Sequence, residues 1–294
     1  MKKKKKKTGF DPLQGHGDHL DSFLDAISAD ELLEMLPNLF PKSEIVAAID
    51  VEDPCSASEE HPDMMRYYLL QDSSLPLHLN MLVCGEPEGG NNELIAFYPE
   101  YDGAPVAVTL TQVHEWISGV EATLVGTICD GEYKIAFLDT RYAFNKDEYV
   151  LGETYYFRLA AMAFNAEVAQ ELTFQFEGED AVVLRERLGD EQGYDEDGNP
   201  EPMVFDTSQL VALFPPYEAY PHVFEFRSPV LGRAELETFS GKFHVLDIAI
   251  TMLDDDRTVV VPLIAKQSFF PDGVQEREPL QGVCWLLGYR HEDE

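Results

Sequence analysis

Lysine is scarce in this chain once its first seven residues are passed. Only Lys42, Lys134, Lys146, Lys242 and Lys266 follow the run Lys2–Lys7. Proteins that grip DNA or RNA draw most of their affinity from Lys and Arg displacing condensed counterions. The deficit argues against a broad nucleic-acid-binding face and leaves room only for a local groove of a few arginines. Cysteine is scarce too. Cys55, Cys84, Cys129 and Cys284 are far apart and form no C-x-x-C, which argues against a disulfide or zinc framework and for free thiols in the cytoplasm. No stretch approaches the roughly 18 apolar residues needed for a membrane-spanning helix, so no membrane partner is expected. Residues 8–16 lack the apolar core of a secretory signal.

Catalytic signatures are also missing. His114-Glu115-Trp116-Ile117-Ser118 opens like the zincin H-E-x-x-H but has serine where the second histidine belongs. Asp195-Glu196-Asp197-Gly198-Asn199 has the flavour of a calcium loop. Counting from its glycine puts Gly193 first and Val204 twelfth, where a carboxylate and a bidentate glutamate are required. Ser240-Gly241-Lys242 lacks the upstream glycine of a phosphate loop, and Phe243 replaces the Mg²⁺-binding hydroxyl. His16-Gly17-Asp18-His19 could offer two imidazoles and a carboxylate to a metal, but with no further ligand in view. No G-x-S-x-G or G-x-G-x-x-G is present. No catalytic residue, metal or cofactor is assigned.

What the chain has in excess is acid. It carries 55 Asp and Glu against 21 Lys and Arg over 294 residues, a net charge of −34. Setting aside the six lysines at positions 2–7 leaves fifteen bases against those 55 acids. Such a field keeps a protein soluble and attracts cations or a basic protein surface. Hydrophobic residues make up 45% and aromatics 11%, enough for a sizeable core and too many for a disordered chain.

The patterning divides the chain into a lysine-rich tail (1–18), an α+β segment (19–118) and a mainly β segment (119–294) with an acidic insertion near 190–230. Leu20, Phe23, Leu24 and Ile27 fall on one helical face. Ser28 and Glu31 form a capping-box pattern opening a second short helix, which Pro37 is expected to stop. Residues 42–49 could continue the helix or begin a strand. Strand-like runs occupy 64–70, 75–83 and 94–98. Residues 120–129, 132–139 and 153–164 read as a three-stranded meander whose first turn is Asp130-Gly131, a type I′ signal. A helix over 179–188 should end at Gly189. An irregular connection spans 208–222, and strands return at 232–238, 243–252, 257–265 and 281–289. Asp254–Asp256 is expected to turn, and Pro262 to mark an edge or a bulge.

Meander, helix, then hairpin over 119–290 resembles, in element order, an oligonucleotide/oligosaccharide-binding barrel. The fold expectation is therefore α+β, mainly β, with an OB-like antiparallel β-barrel and a short helical N-terminal segment. One local patch runs against the global charge. Arg141, Tyr142 and Lys146, with Tyr156 and Arg158, set bases among aromatics on the second and third strands of such a barrel, where this architecture stacks bases or sugars. They are the candidate ligand-binding residues. The bland reading pairs the arginines with the abundant carboxylates and sends the aromatics to the core. Three functions follow: a non-enzymatic, cytoplasmic interaction protein for a basic protein partner; an OB-like module for an oligonucleotide or glycan; and a hydrolase whose carboxylates meet only in three dimensions.

Overall fold

A computed structural model describes residues 19–52, 64–72, 76–86, 92–170, 173–189, 193–195, 197–215, 221–252 and 258–291. The lysine tail, residues 1–18, and the Asp254–Asp256 turn lie outside them. The first helix, α1 (Ala29–Leu39), opens as its sequence dictates. The Ser28 hydroxyl accepts from the Glu31 amide, and the Glu31 carboxylate accepts from the Ser28 amide at 2.7 Å. Pro37 does not stop α1 but sits in its last turn. There its missing N–H costs a single ladder bond, and burial of Leu32 and Leu36 holds the turn. The segment before α1 differs more. It makes only a 3₁₀ turn, His19–Ser22, because the Asp25 and Ala26 amides donate to the Ser240 carbonyl at 3.0 and 2.7 Å and draw the chain onto a distant hairpin. Leu20, Phe23 and Leu24 are buried all the same.

Four antiparallel strands follow in simple order: β1 (Ser43–Glu52), β2 (Met64–Asp72), β3 (Leu77–Gly85) and β4 (Glu93–Tyr101). The residues at 42–49 are thus mostly strand, and β1 is the exposed edge. Next come β5 (Ala104–Glu115), β6 (Ala122–Ile128), β7 (Tyr133–Asp139), the short helix α2 (Tyr142–Asn145) and the long β8 (Thr154–Val168). The β6–β7 turn carries its positive φ at Cys129 and Asp130, +52° and +55°, with Gly131 N–H closing onto Ile128 O. That is one residue earlier than the Asp-Gly pair suggests. A two-stranded ribbon, β9 (Thr173–Phe176) with β10 (Met203–Asp206), brackets α3 (Gly178–Leu188). The helix ends at Gly189, whose φ of +75° suits a residue without a Cβ.

The chain then forms β11 (Ala212–Phe214), β12 (Val223–Thr238), β13 (Gly241–Thr251), β14 (Val259–Lys266) and β15 (Pro279–Arg290). With β5–β8 they make a nine-stranded sheet, and the protein is mainly β as expected. The β12 strand starts well before residue 232. Pro229 does not interrupt it, because Pro229 faces Pro279 where the β12–β15 ladder ends and no bond to either proline nitrogen is needed. Pro262 is likewise tolerated. Only Leu263 and Ile264 of β14 pair on the edge away from β13.

The sheet contains the same unit twice, which element spacing in the sequence does not announce. Strands β5–β6–β7–β8 and β12–β13–β14–β15 each make a meander, then a short helical turn, then a long strand that pairs antiparallel with the unit's first. The bulges coincide: one skips Thr111 between Leu110 and Gln112, the other Leu231 between Val230 and Gly232. Each third strand also crosses to the other unit in parallel. Leu138 of β7 meets Leu287 of β15, and Ile264 of β14 meets Met162 of β8. The fourth strands, β8 and β15, pair antiparallel along nearly their whole length. The pairings therefore return on themselves twice, through the shared β8–β15 ladder.

Among the described residues two large apolar clusters fill the fold, beside a smaller third around Leu82, Ala96 and Tyr98. One lies inside the paired units, around Phe137, Phe157, Leu246 and Leu286. The other joins the two sheets and the N-terminal segment, with Trp285, Phe243, Leu79 and Phe23. Phe23 is fully buried between Phe239 and Phe243. Phe23→Ala is expected to lower the unfolding free energy by roughly 3–5 kcal/mol, measured by urea unfolding. A change under about 1 kcal/mol would show that this segment does not seal the core.

Candidate functional site

The expected patch resolves into two settings. Arg141 and Arg158 lie along one line of contacts at the seam between the sheets. Arg141 donates from Nε and Nη2 to the two oxygens of Glu100, at 3.2 and 2.7 Å, and its guanidinium lies 3.9 Å from the centre of the Tyr289 ring. Tyr289 donates to Asp102 at 3.0 Å. Asp102 in turn faces Arg158 at 3.7 Å, an ion-pair distance too long for a hydrogen bond. Tyr156, next to it on β8, is half exposed. Tyr142 and Lys146 sit elsewhere, at the end of the first strand unit. Tyr142 is buried and donates to Glu115 at 3.0 Å, while Lys146 donates to the Gly119 carbonyl at 3.0 Å.

Glu100 organises the seam, and the sequence reading passed over it. It is 2% exposed. Besides Arg141 it accepts from Gln71 and Asn80 at 2.9 Å each, and from the Thr140 hydroxyl. These donors come from β2 and β3 on one side and from the end of β7 on the other. One carboxylate thereby ties the two sheets together. A buried charge is tolerable only when so fully partnered. No local signal singles it out: Glu100 follows the apolar run 94–99 in a strand that also opens on a glutamate, Glu93. Its oxygens are occupied by these donors, so the arrangement holds geometry rather than offering a base to a substrate.

Asp139, next to this network, is 2% exposed. It accepts from the Arg141 amide at 2.9 Å and from the Tyr149 hydroxyl at 2.6 Å. Burial outweighs those bonds and pushes its carboxyl up to about 6. Burial and Asp139 itself push Tyr149 far above the ordinary phenol range. Elsewhere, Asp195 accepts from the amides of Asp197 and Asn199 and from the Asn199 side chain. The acidic loop thus spends that carboxylate on its own turn, which holds it below the usual carboxylate range.

No family model matches this chain, and neither a curated protein nor a solved structure matches it.

A carboxyl raised in the folded state binds more protons there than in the unfolded chain. Its contribution to stability is therefore complete below the unfolded value near 4 and is lost as pH rises through about 6. The excess stability of the natural chain over Asp139→Asn should fall by on the order of 2 kcal/mol from pH 4 to pH 6.5. Urea unfolding of both proteins at each pH measures it. A difference that stays flat, or grows, contradicts the assignment.

Proposed function

We propose that the protein is a non-enzymatic interaction module whose acidic surface receives a basic surface of another protein. The observation that supports this reading is where its scarce cations have gone. Arg141 is held by Glu100, Arg158 faces Asp102, Arg66 donates to Asp50 at 2.5 and 2.7 Å, Arg290 pairs with Glu148, and Lys146 is held by a backbone carbonyl. Cations committed to carboxylates carry little outward field, whereas the surplus acid has no counter-charge within the chain. A phosphate backbone would be repelled by such a surface. A lysine- or arginine-rich one would be drawn in, at a rate that falls with salt.

The alternative, an OB-like module for oligonucleotides or glycans, draws on the half-exposed Tyr156 beside Arg158. It asks Arg141, Tyr142 and Lys146 to leave the partners described above. The acidic-module reading asks for no such rearrangement and is preferred.

The immobilised chain is expected to retain a specific protein of high isoelectric point from native lysate at low and moderate salt, and to release it as salt rises. Failure to retain any specific partner at either salt overturns the reading. So does tight, salt-sensitive capture of plain single-stranded DNA or RNA by the chain without its first seven residues.

A further inference from the structure

The two strand units end differently, and the difference lies where a ligand could enter. In the first unit, Tyr142 stands four residues past Leu138, is buried, and bonds Glu115 near the end of β5. In the second unit the same steps lead to Ser268, four residues past Ile264, and to Glu235 on β12. The equivalence follows from the matching parallel pairs and the matching bulges, since Glu115 and Glu235 lie equally far beyond Leu110 and Val230. Serine is too small to fill the space of a tyrosine. Instead of a plug, the second unit has a cavity of about 630 Å³, lined by Asp25, Glu235, Glu237, Lys242, His244 and Ser268 among others.

A second observation marks this cavity as more than an acidic surface. His244 takes the place that Ala122 holds in the first unit, opposite Glu235 as Ala122 is opposite Glu115. It is only 5% exposed, and its buried Nε2 has no hydrogen-bond partner among the described residues. A buried polar nitrogen left unpaired is costly. Burial also pushes the imidazole below its ordinary range, against the pull of Glu235, which favours the neutral ring with one nitrogen able to accept. Phe270 packs edge-on against His244, 5.9 Å between centroids, and with Phe239 it gives the cavity aromatic walls. The N-terminal segment holds the rim in place. Gly241, at φ +148°, has no room for a Cβ, which would come within 2.6 Å of Asp25 Cβ. Ser268 donates to Asp25 at 2.9 Å. Lys242 stands 3.9 Å from Glu237 and offsets one of the three carboxylates.

We propose that this open end of the second strand unit seats an arginine side chain of the basic partner, its guanidinium among Asp25, Glu235 and Glu237 and beside His244. The proposal rests on the acidic-module reading above and names its contact point. Arginine fits better than lysine because a planar guanidinium both forks onto carboxylates and stacks on aromatic walls.

The test uses a fluorescein-labelled pentapeptide carrying two arginines, titrated with the full chain by fluorescence polarisation at physiological salt. Ser268→Tyr installs the first unit's plug without changing net charge. It is expected to weaken binding about tenfold or more, with circular dichroism unchanged. The pair Glu235→Gln/Glu237→Gln should do the same. The pair Glu179→Gln/Glu186→Gln, two exposed carboxylates of α3, removes equal charge and should leave binding within about twofold. Equal weakening by both glutamine pairs, or no effect of Ser268→Tyr, overturns the arginine seat and leaves the acidic-module reading standing. No binding by the natural chain overturns both.

Discussion

The antiparallel ladder between β8 and β15 is the constraint on which the rest of the structure depends. Each strand is the last of its own four-stranded unit, and each also receives the third strand of the other unit in parallel. Neither unit can bury its inner face alone. Ala161, Ala163, Cys284 and Leu286 lie on the central ladder and belong to the same apolar cluster as Phe137 and Leu246 from the two flanking meanders. Alanines at 160, 161 and 163 leave room for larger side chains packed over the ladder, and the face opposite Ala161 and Ala163 presents Trp285 and Met162 to the second cluster. There the N-terminal segment closes over them: Trp285 donates to Ser22 at 2.8 Å, and His19 lies edge-on to the Trp285 ring.

The charge of the molecule follows from how this framework is joined. The four-stranded sheet meets the nine-stranded one through Glu100 and its donors. That seam consumes an arginine that a phosphate-binding surface would need. Other arginines are committed in the same way, to Asp50, Asp102 and Glu148. Acid is therefore spent inward where it can be fully bonded, and the remainder faces outward with few counter-charges. Surface carboxylates of this kind contribute little to stability; their physical effect is on encounter with charged partners.

Local chemistry made some of this legible from residues alone. The Ser28–Glu31 capping box, the Gly189 terminus of α3 and the strand periods of β6, β7 and β13 to β15 all rest on signals within a few residues of each other. The same holds for the pairing of arginines with acid, which composition made the bland expectation for Arg141 and Arg158. What the sequence hid depends on distant partners. The helical face at 20–27 unwinds because Ser240 takes its amides. Strand β12 extends through Pro229 because β15 begins opposite it. The duplication is carried by register and bulge position, with little residue identity between units: Tyr142 stands against Ser268, Ala122 against His244. Glu100 was passed over because one carboxylate among 55 acids carries no local mark of being the buried one.

Native-state hydrogen exchange, read by mass spectrometry on peptides from each strand, tests the central claim most directly. If the β8–β15 ladder joins the units into one cooperative body, the amides of residues 157–166 and 280–288 exchange last and together, with the inner strands of both units protected to the same global free energy. If one unit's strands open well before the other's while its partner stays protected, the units fold separately and the account is wrong.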